Sequence, residues 1–124
     1  MSSIYSKMTV LVVEDDVLVR MHGIDIFEEA GFTVIEADNA HEALTILGEG
    51  AQVHMLFSDI DMPGSIDGLE LARIVHERWP RIHLLVTSGH HRLNDADVPG
   101  LGRFVRKPWQ TEAIMTGVAG LVRH

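Results

Sequence analysis

The chain alternates between two hydrophobic rhythms. Short apolar runs fall at residues 9–13, 32–36, 54–58, 82–87 and 104–106. Several are continuously apolar and β-branched, as expected of strands covered on both faces. Between them the period becomes helical. Val17, Met21, Ile24 and Phe27 predict one apolar face, and the i, i+3, i+4, i+7 spacing of Ala40, Ala43, Leu44 and Leu47 predicts a second. Leu71, Ala72, Val75 and Trp79 predict a third, and Ile114, Val118 and Leu121 mark the last helix.

Start and stop signals agree with these segments. Asp16 precedes the first helical run, and Asn39 with Glu42 and Asp67 with Glu70 have capping-box spacing. Gly31, Gly48 and Pro80 stand where three of the helices should end. Gly117 and Gly120 weaken the last helix by about 1 kcal/mol each relative to alanine. Strands alternating with helices predict βαβ units, hence an α/β fold with a parallel sheet and helices on both faces. Residues 88–103 interrupt the alternation. Three glycines, one proline and few apolar anchors (Leu93, Ala96, Val98, Leu101) predict a short or loosely packed fourth helix there.

Size and composition narrow the function. At 124 residues and 46% hydrophobic content, one self-sufficient domain is expected over residues 1–124, with its core at about 7–122 and no output domain. No repeat, low-complexity tract or linker marks a second unit. There are no cysteines, which excludes disulfides, thiolate metal sites and a cysteine nucleophile. The net charge of −8 argues against nucleic acid and anionic membrane as partners. No run reaches the roughly 18 apolar residues of a membrane span, and no apolar stretch follows a basic start. A cytoplasmic protein, monomeric or weakly dimeric, is the expectation.

The candidate chemistry lies at the predicted strand ends, where open parallel sheets bind ligands. The first strand runs into Glu14, Asp15 and Asp16; the third ends at Asp59, followed by Asp61, Met62, Pro63 and Gly64. The fourth ends at Thr87 and Ser88, the fifth at Lys107 and Pro108. Carboxylates gathered on one rim repel one another, and a hard divalent cation relieves that repulsion. Mg²⁺ takes oxygen ligands and favours sites shared with phosphate. A lysine and a hydroxyl beside it suit an anion, so the set points to phosphoryl chemistry. Asp16 reads as a helix cap only.

Glu14-Asp15, the string Asp59-Ile60-Asp61-Met62-Pro63-Gly64, Thr87 and Lys107-Pro108, in this order, resemble the receiver domain of two-component response regulators. The resemblance covers nearly the whole chain and implies a doubly wound, flavodoxin-like (βα)5 fold with a five-stranded sheet. It implies that Asp59 is the phosphoacceptor and that Glu14, Asp15, Asp59 and the Asp61 carbonyl serve Mg²⁺. Glu14 would act through a metal-bound water. It gives Thr87 and Lys107 to the phosphoryl group, makes Thr87 and Phe104 the switch pair, and makes the Lys107–Pro108 bond cis. The implied partners are a sensor histidine kinase or a histidine phosphotransfer protein and a possible downstream target. Such a domain assists its own phosphorylation without being an enzyme in the usual sense. Asp61 adds an acid beside the acceptor and is expected to alter the lifetime of the aspartyl phosphate.

A rival reading takes Asp59-Ile60-Asp61 as the paired aspartates of a haloacid-dehalogenase-type, Mg²⁺-dependent phosphatase. Such enzymes are usually longer, and Met62-Pro63 is not their continuation. A dinucleotide site lacks its glycine motif. An unphosphorylated module of the same fold is disfavoured because the full set of site residues is present. His90 and His91, with Asp95 and Asp97 nearby, lack the spacing of a transition-metal site. Trp79 and Trp109 read as packing residues at helix ends.

Overall fold

A computed structural model describes residues 4–123. Five parallel strands form one sheet in the order β2-β1-β3-β4-β5. They are β1 (Thr9–Val13), β2 (Thr33–Ala37), β3 (Met55–Asp59), β4 (His83–Ser88) and β5 (Arg103–Arg106). Four α-helices connect or follow them: α1 (Val17–Glu29), α2 (Ala40–Gly48), α3 (Gly68–Arg78) and α4 (Thr111–Val122). This is the flavodoxin-like architecture expected from the sequence.

Two apolar cores sandwich the sheet. On one face Leu11, Leu56, Leu84 and Val86 meet α2 and α3 through Ala43, Leu47, Leu71 and Val75. On the other, Val10, Val12, Phe57 and Leu85 meet α1 and α4 through Ile26, Phe27, Ile114 and Val118. Every residue of β3 is buried, which explains why its sequence does not alternate. Asp16, Asn39 and Asp67 each accept from backbone N–H groups of the first turn of α1, α2 and α3. Gly31 lies at φ 105° just beyond α1. At the end of α2 the left-handed residue is Gly50, at φ 94°, whereas Gly48 is still helical, one turn-signal earlier than the true stop.

The segment between β4 and β5, expected to hold only a short or loosely packed helix, holds a single 3₁₀ turn at Asp95–Asp97, so among the described residues four α-helices accompany the five strands. Gly89, Pro99, Gly100 and Gly102 leave that stretch too few apolar anchors to hold a helix against the sheet. The buried face of α1 is in part the one read from the sequence, since Phe27 lies in the core and Ile24 packs against it. Gly23, Ile26 and Phe27 point inward, while Val17 and Met21 are more than half exposed. Gly23 carries no hydropathy signal, so part of the stripe is hidden.

Candidate functional site

The strand order reverses direction between β1 and its two neighbours β2 and β3, opening a crevice at the carboxyl ends of the strands. Glu14 and Asp15 leave β1 at this crevice and Asp59 ends β3. One ligand oxygen from each of these three carboxylates can be chosen so that all lie within 4.8 Å of one another. Glu14 and Asp59 are buried and Asp15 is exposed. The three acids expected to gather therefore do so.

Lys107, carried by the end of β5, reaches into this group. Its Nζ lies 2.8 Å from Glu14 Oε2 and 2.9 Å from Asp59 Oδ2. The other Asp59 oxygen, Oδ1, accepts the Asp61 backbone N–H at 3.0 Å. Burial is the largest influence on Glu14 and pushes its carboxyl up to about 7, with Asp59 adding to the rise and Lys107 opposing it. Burial alone would lower Lys107, but hydrogen bonds to Glu14 and Asp59 outweigh it and hold the ammonium above its ordinary range. One ammonium cannot balance three carboxylates. With all three ionised the formal charge is 1 − 3 = −2, which a divalent cation would cancel. The all-oxygen donor set is the kind Mg²⁺ prefers, so the residues present fit that ion.

Glu14 is braced from behind. Arg20 donates to its carbonyl at 2.7 Å and pairs with Glu36 at 3.0 Å. Asp16 N–H donates to Glu14 Oε1 at 3.1 Å. Thr87 is the register partner of Asp59 on the neighbouring strand, so both residues stand at the same level of the crevice. Its hydroxyl accepts the indole N–H of Trp109 at 2.7 Å. Phe104 is partly buried against the core on the α2 and α3 side. Its backbone N–H donates to Asp95 Oδ1 at 2.9 Å. The Lys107–Pro108 bond is cis, as the resemblance implied.

The carboxylate of Asp61 is turned to other partners. Ser88 Oγ donates to its Oδ2 at 2.5 Å, and His91 Nδ1 lies 2.7 Å from its Oδ1. Although burial opposes it, these two contacts hold Asp61 below its ordinary range. A phosphatase of the haloacid-dehalogenase kind would need this carboxyl as a mobile general acid–base, and here both of its oxygens are engaged. In the sequence His91 lacks metal-site spacing and Trp109 reads as packing; their partners Asp61 and Thr87 lie 30 and 22 residues away, so no local signal marks either bond.

Comparison with known proteins agrees with the geometry. The response regulator receiver domain family matches residues 10–119. The chain is 36% identical over 116 residues to sensor kinase CckA of Brucella abortus, covering 89% of this chain and 12% of that protein. It is 30% identical over 113 residues to response regulator protein FleR of Pseudomonas aeruginosa, covering 89% of this chain and 24% of that protein. It thus spans a minor part of the length of each of these relatives. A response regulator receiver protein from Sinorhizobium medicae superposes with a TM-score of 0.84 at 26% identity, covering 94% of both chains. One from Pseudomonas putida superposes at 0.77 with 27% identity, covering 94% of this chain and 98% of that one. Family match, sheet order and strand-end residues converge on one conclusion: the chain belongs to the response regulator receiver domain family.

Proposed function

We propose that this chain accepts a phosphoryl group on Asp59 from a phosphohistidine of a sensor kinase or phosphotransfer protein, in a Mg²⁺-dependent reaction. The observation that carries the reading is the Lys107 ammonium held between Asp59 and Glu14 inside a three-carboxylate cluster. Glu14 and Asp15 would hold the ion together with Asp59 and the Asp61 carbonyl. Bound there, Mg²⁺ neutralises charge on the acids and on the incoming phosphoryl oxygens.

The chain's own residues do the rest. A carboxylate oxygen of Asp59 attacks phosphorus. The new O–P bond forms as the P–N bond to the donor imidazole breaks, and the imidazole keeps the electron pair. Lys107 pairs with a phosphoryl oxygen, and the Thr87 hydroxyl donates to another. The added charge draws on Thr87 and, through it, on Phe104 and the 3₁₀ segment, shifting the population between two arrangements. The output is binding of a downstream protein, or phosphate storage and shuttling without one. A monomer or weak homodimer in the cytoplasm, where a kinase would present its phosphohistidine, fits this reading. Among the described residues no helix is long and apolar enough to cross a membrane.

The donor would dock on α1. Val17, Leu18 and Met21 are 56%, 77% and 55% exposed, an uncommon set of bare apolar side chains beside the crevice. Leu18 lines a cleft with His22, Gly89, Lys107 and Trp109, so the patch runs to the edge of the site. Incubation with acetyl phosphate and Mg²⁺ tests the reading. The chain should gain the mass of one phosphoryl group, and an Asp59→Asn variant should not. Unchanged mass in the natural chain would overturn it.

A further inference from the structure

Trp109 is 8% exposed, and its indole nitrogen stands 2.7 Å from Thr87 Oγ1. An indole N–H donates and never accepts, so the Thr87 hydroxyl is the acceptor. A hydroxyl has two lone pairs and one proton. Accepting from Trp109 commits one lone pair and leaves the proton for an acceptor elsewhere. Among the described residues, Trp109 is the hydroxyl's one hydrogen-bond partner. No described residue accepts the hydroxyl's proton, and Thr87 is paired in register with Asp59.

The indole is held so that this bond has a fixed direction. Its ring meets Phe57 edge-on at 5.1 Å and stacks on His22 at 5.6 Å, with 18° between the planes. A Cβ at position 23 would lie 3.3 Å from the indole, so Gly23 on α1 leaves the room the ring occupies. A glycine inside a helix costs about 0.5–1 kcal/mol relative to alanine, and here it seats Trp109. A phenylalanine at 109 could cover much of the same apolar surface. What it could not supply is the N–H.

We propose that Trp109 is a positioning residue for phosphoryl transfer: its indole N–H fixes the Thr87 hydroxyl as a donor aimed away from Trp109, toward the phosphoryl oxygens at Asp59. This rests on the reading of Thr87 as a phosphoryl ligand given above. Because the ring stacks on α1 beside the exposed Leu18, the same side chain links the proposed docking face to the crevice.

A double-mutant cycle on phosphorylation by acetyl phosphate, at fixed Mg²⁺, tests this. Trp109→Phe should slow the reaction about threefold to tenfold, the worth of one hydrogen bond. In a Thr87→Ala background the same substitution should change nothing further. Equal slowing in both backgrounds, or no slowing in the first, would overturn the proposal. If Trp109→Phe unfolds the chain, replacement of Trp109 by benzothienylalanine keeps the bicyclic shape, removes only the N–H, and is read the same way. A natural chain that takes no phosphate on Asp59 would remove the functional reading and this proposal with it. A natural chain that is phosphorylated but shows an additive cycle would remove this proposal alone.

Discussion

Gly68, the first residue of α3, is packed directly on the main chain of Asp59. A Cβ on Gly68 would overlap the Asp59 carbonyl oxygen and the Ile60 Cα. Gly68 N–H also donates to the Ile60 carbonyl at 3.2 Å, fastening the helix to the loop that leaves Asp59. The obstacle is backbone on both sides, with no flexible side chain to yield. Gly68→Ala should therefore destabilise the chain by about 1–3 kcal/mol, the usual cost of overpacking. Gly48 has open space around it and no positive φ. Gly48→Ala should be neutral or more stable by up to about 1 kcal/mol. Urea unfolding of the two variants reads the contrast, and equal effects would contradict it.

The site and the opposite end of the sheet should titrate with opposite signs. His83 is held below its ordinary 6.5, first by burial and then by the nearby His54. The unfolded chain then protonates His83 before the folded chain does. Its contribution is present above 6.5 and is lost as pH falls through the folded value. Glu14 is the reverse case, raised from 4.5 to about 7. Its contribution is present below 4.5 and is lost as pH rises through about 7. The two windows overlap, so each is isolated against its own variant in metal-free buffer. Between about pH 7.5 and about pH 5.5, the stability of the natural chain relative to His83→Gln should fall, and relative to Glu14→Gln should rise. Urea midpoints at the two values check both signs.

Leu18 gives a separation of binding from chemistry. It is 77% exposed, so Leu18→Ala should leave stability within about 0.5 kcal/mol. Its side chain belongs to the proposed docking face and not to the acid cluster. Transfer from a phosphohistidine protein should slow about fivefold or more, the mark of a buried interface residue. Phosphorylation by acetyl phosphate should proceed at the natural rate. Equal slowing with both donors would place Leu18 in the chemistry instead.

What the sequence discloses follows from range. Caps at Asp16, Asn39 and Asp67 are local, and each was legible because side chain and partner lie within three residues. The buried strands were legible because burial on both faces leaves an unbroken apolar run. The acidic cluster was legible because open parallel sheets place their ligands at strand ends, so counting strands also locates the site. The face of α1 was legible only at Ile24 and Phe27, because its inward stripe includes Gly23, which leaves room where Trp109 sits. The bonds from Trp109 to Thr87 and from Ser88 and His91 to Asp61 span 22, 27 and 30 residues. They exist only once β3, β4 and β5 lie side by side. The glycines of residues 88–103 foretell a short or loosely packed helix, but composition alone does not say that a single 3₁₀ turn remains.

The central claim is that Asp59 carries the phosphoryl group. Borohydride reduction after phosphorylation converts an aspartyl phosphate to homoserine, which peptide sequencing by mass locates to one position. With acetyl phosphate and Mg²⁺ the account predicts homoserine at position 59, and none when the metal is chelated. Homoserine at position 15 or 61 instead, or at 59 regardless of Mg²⁺, would contradict it.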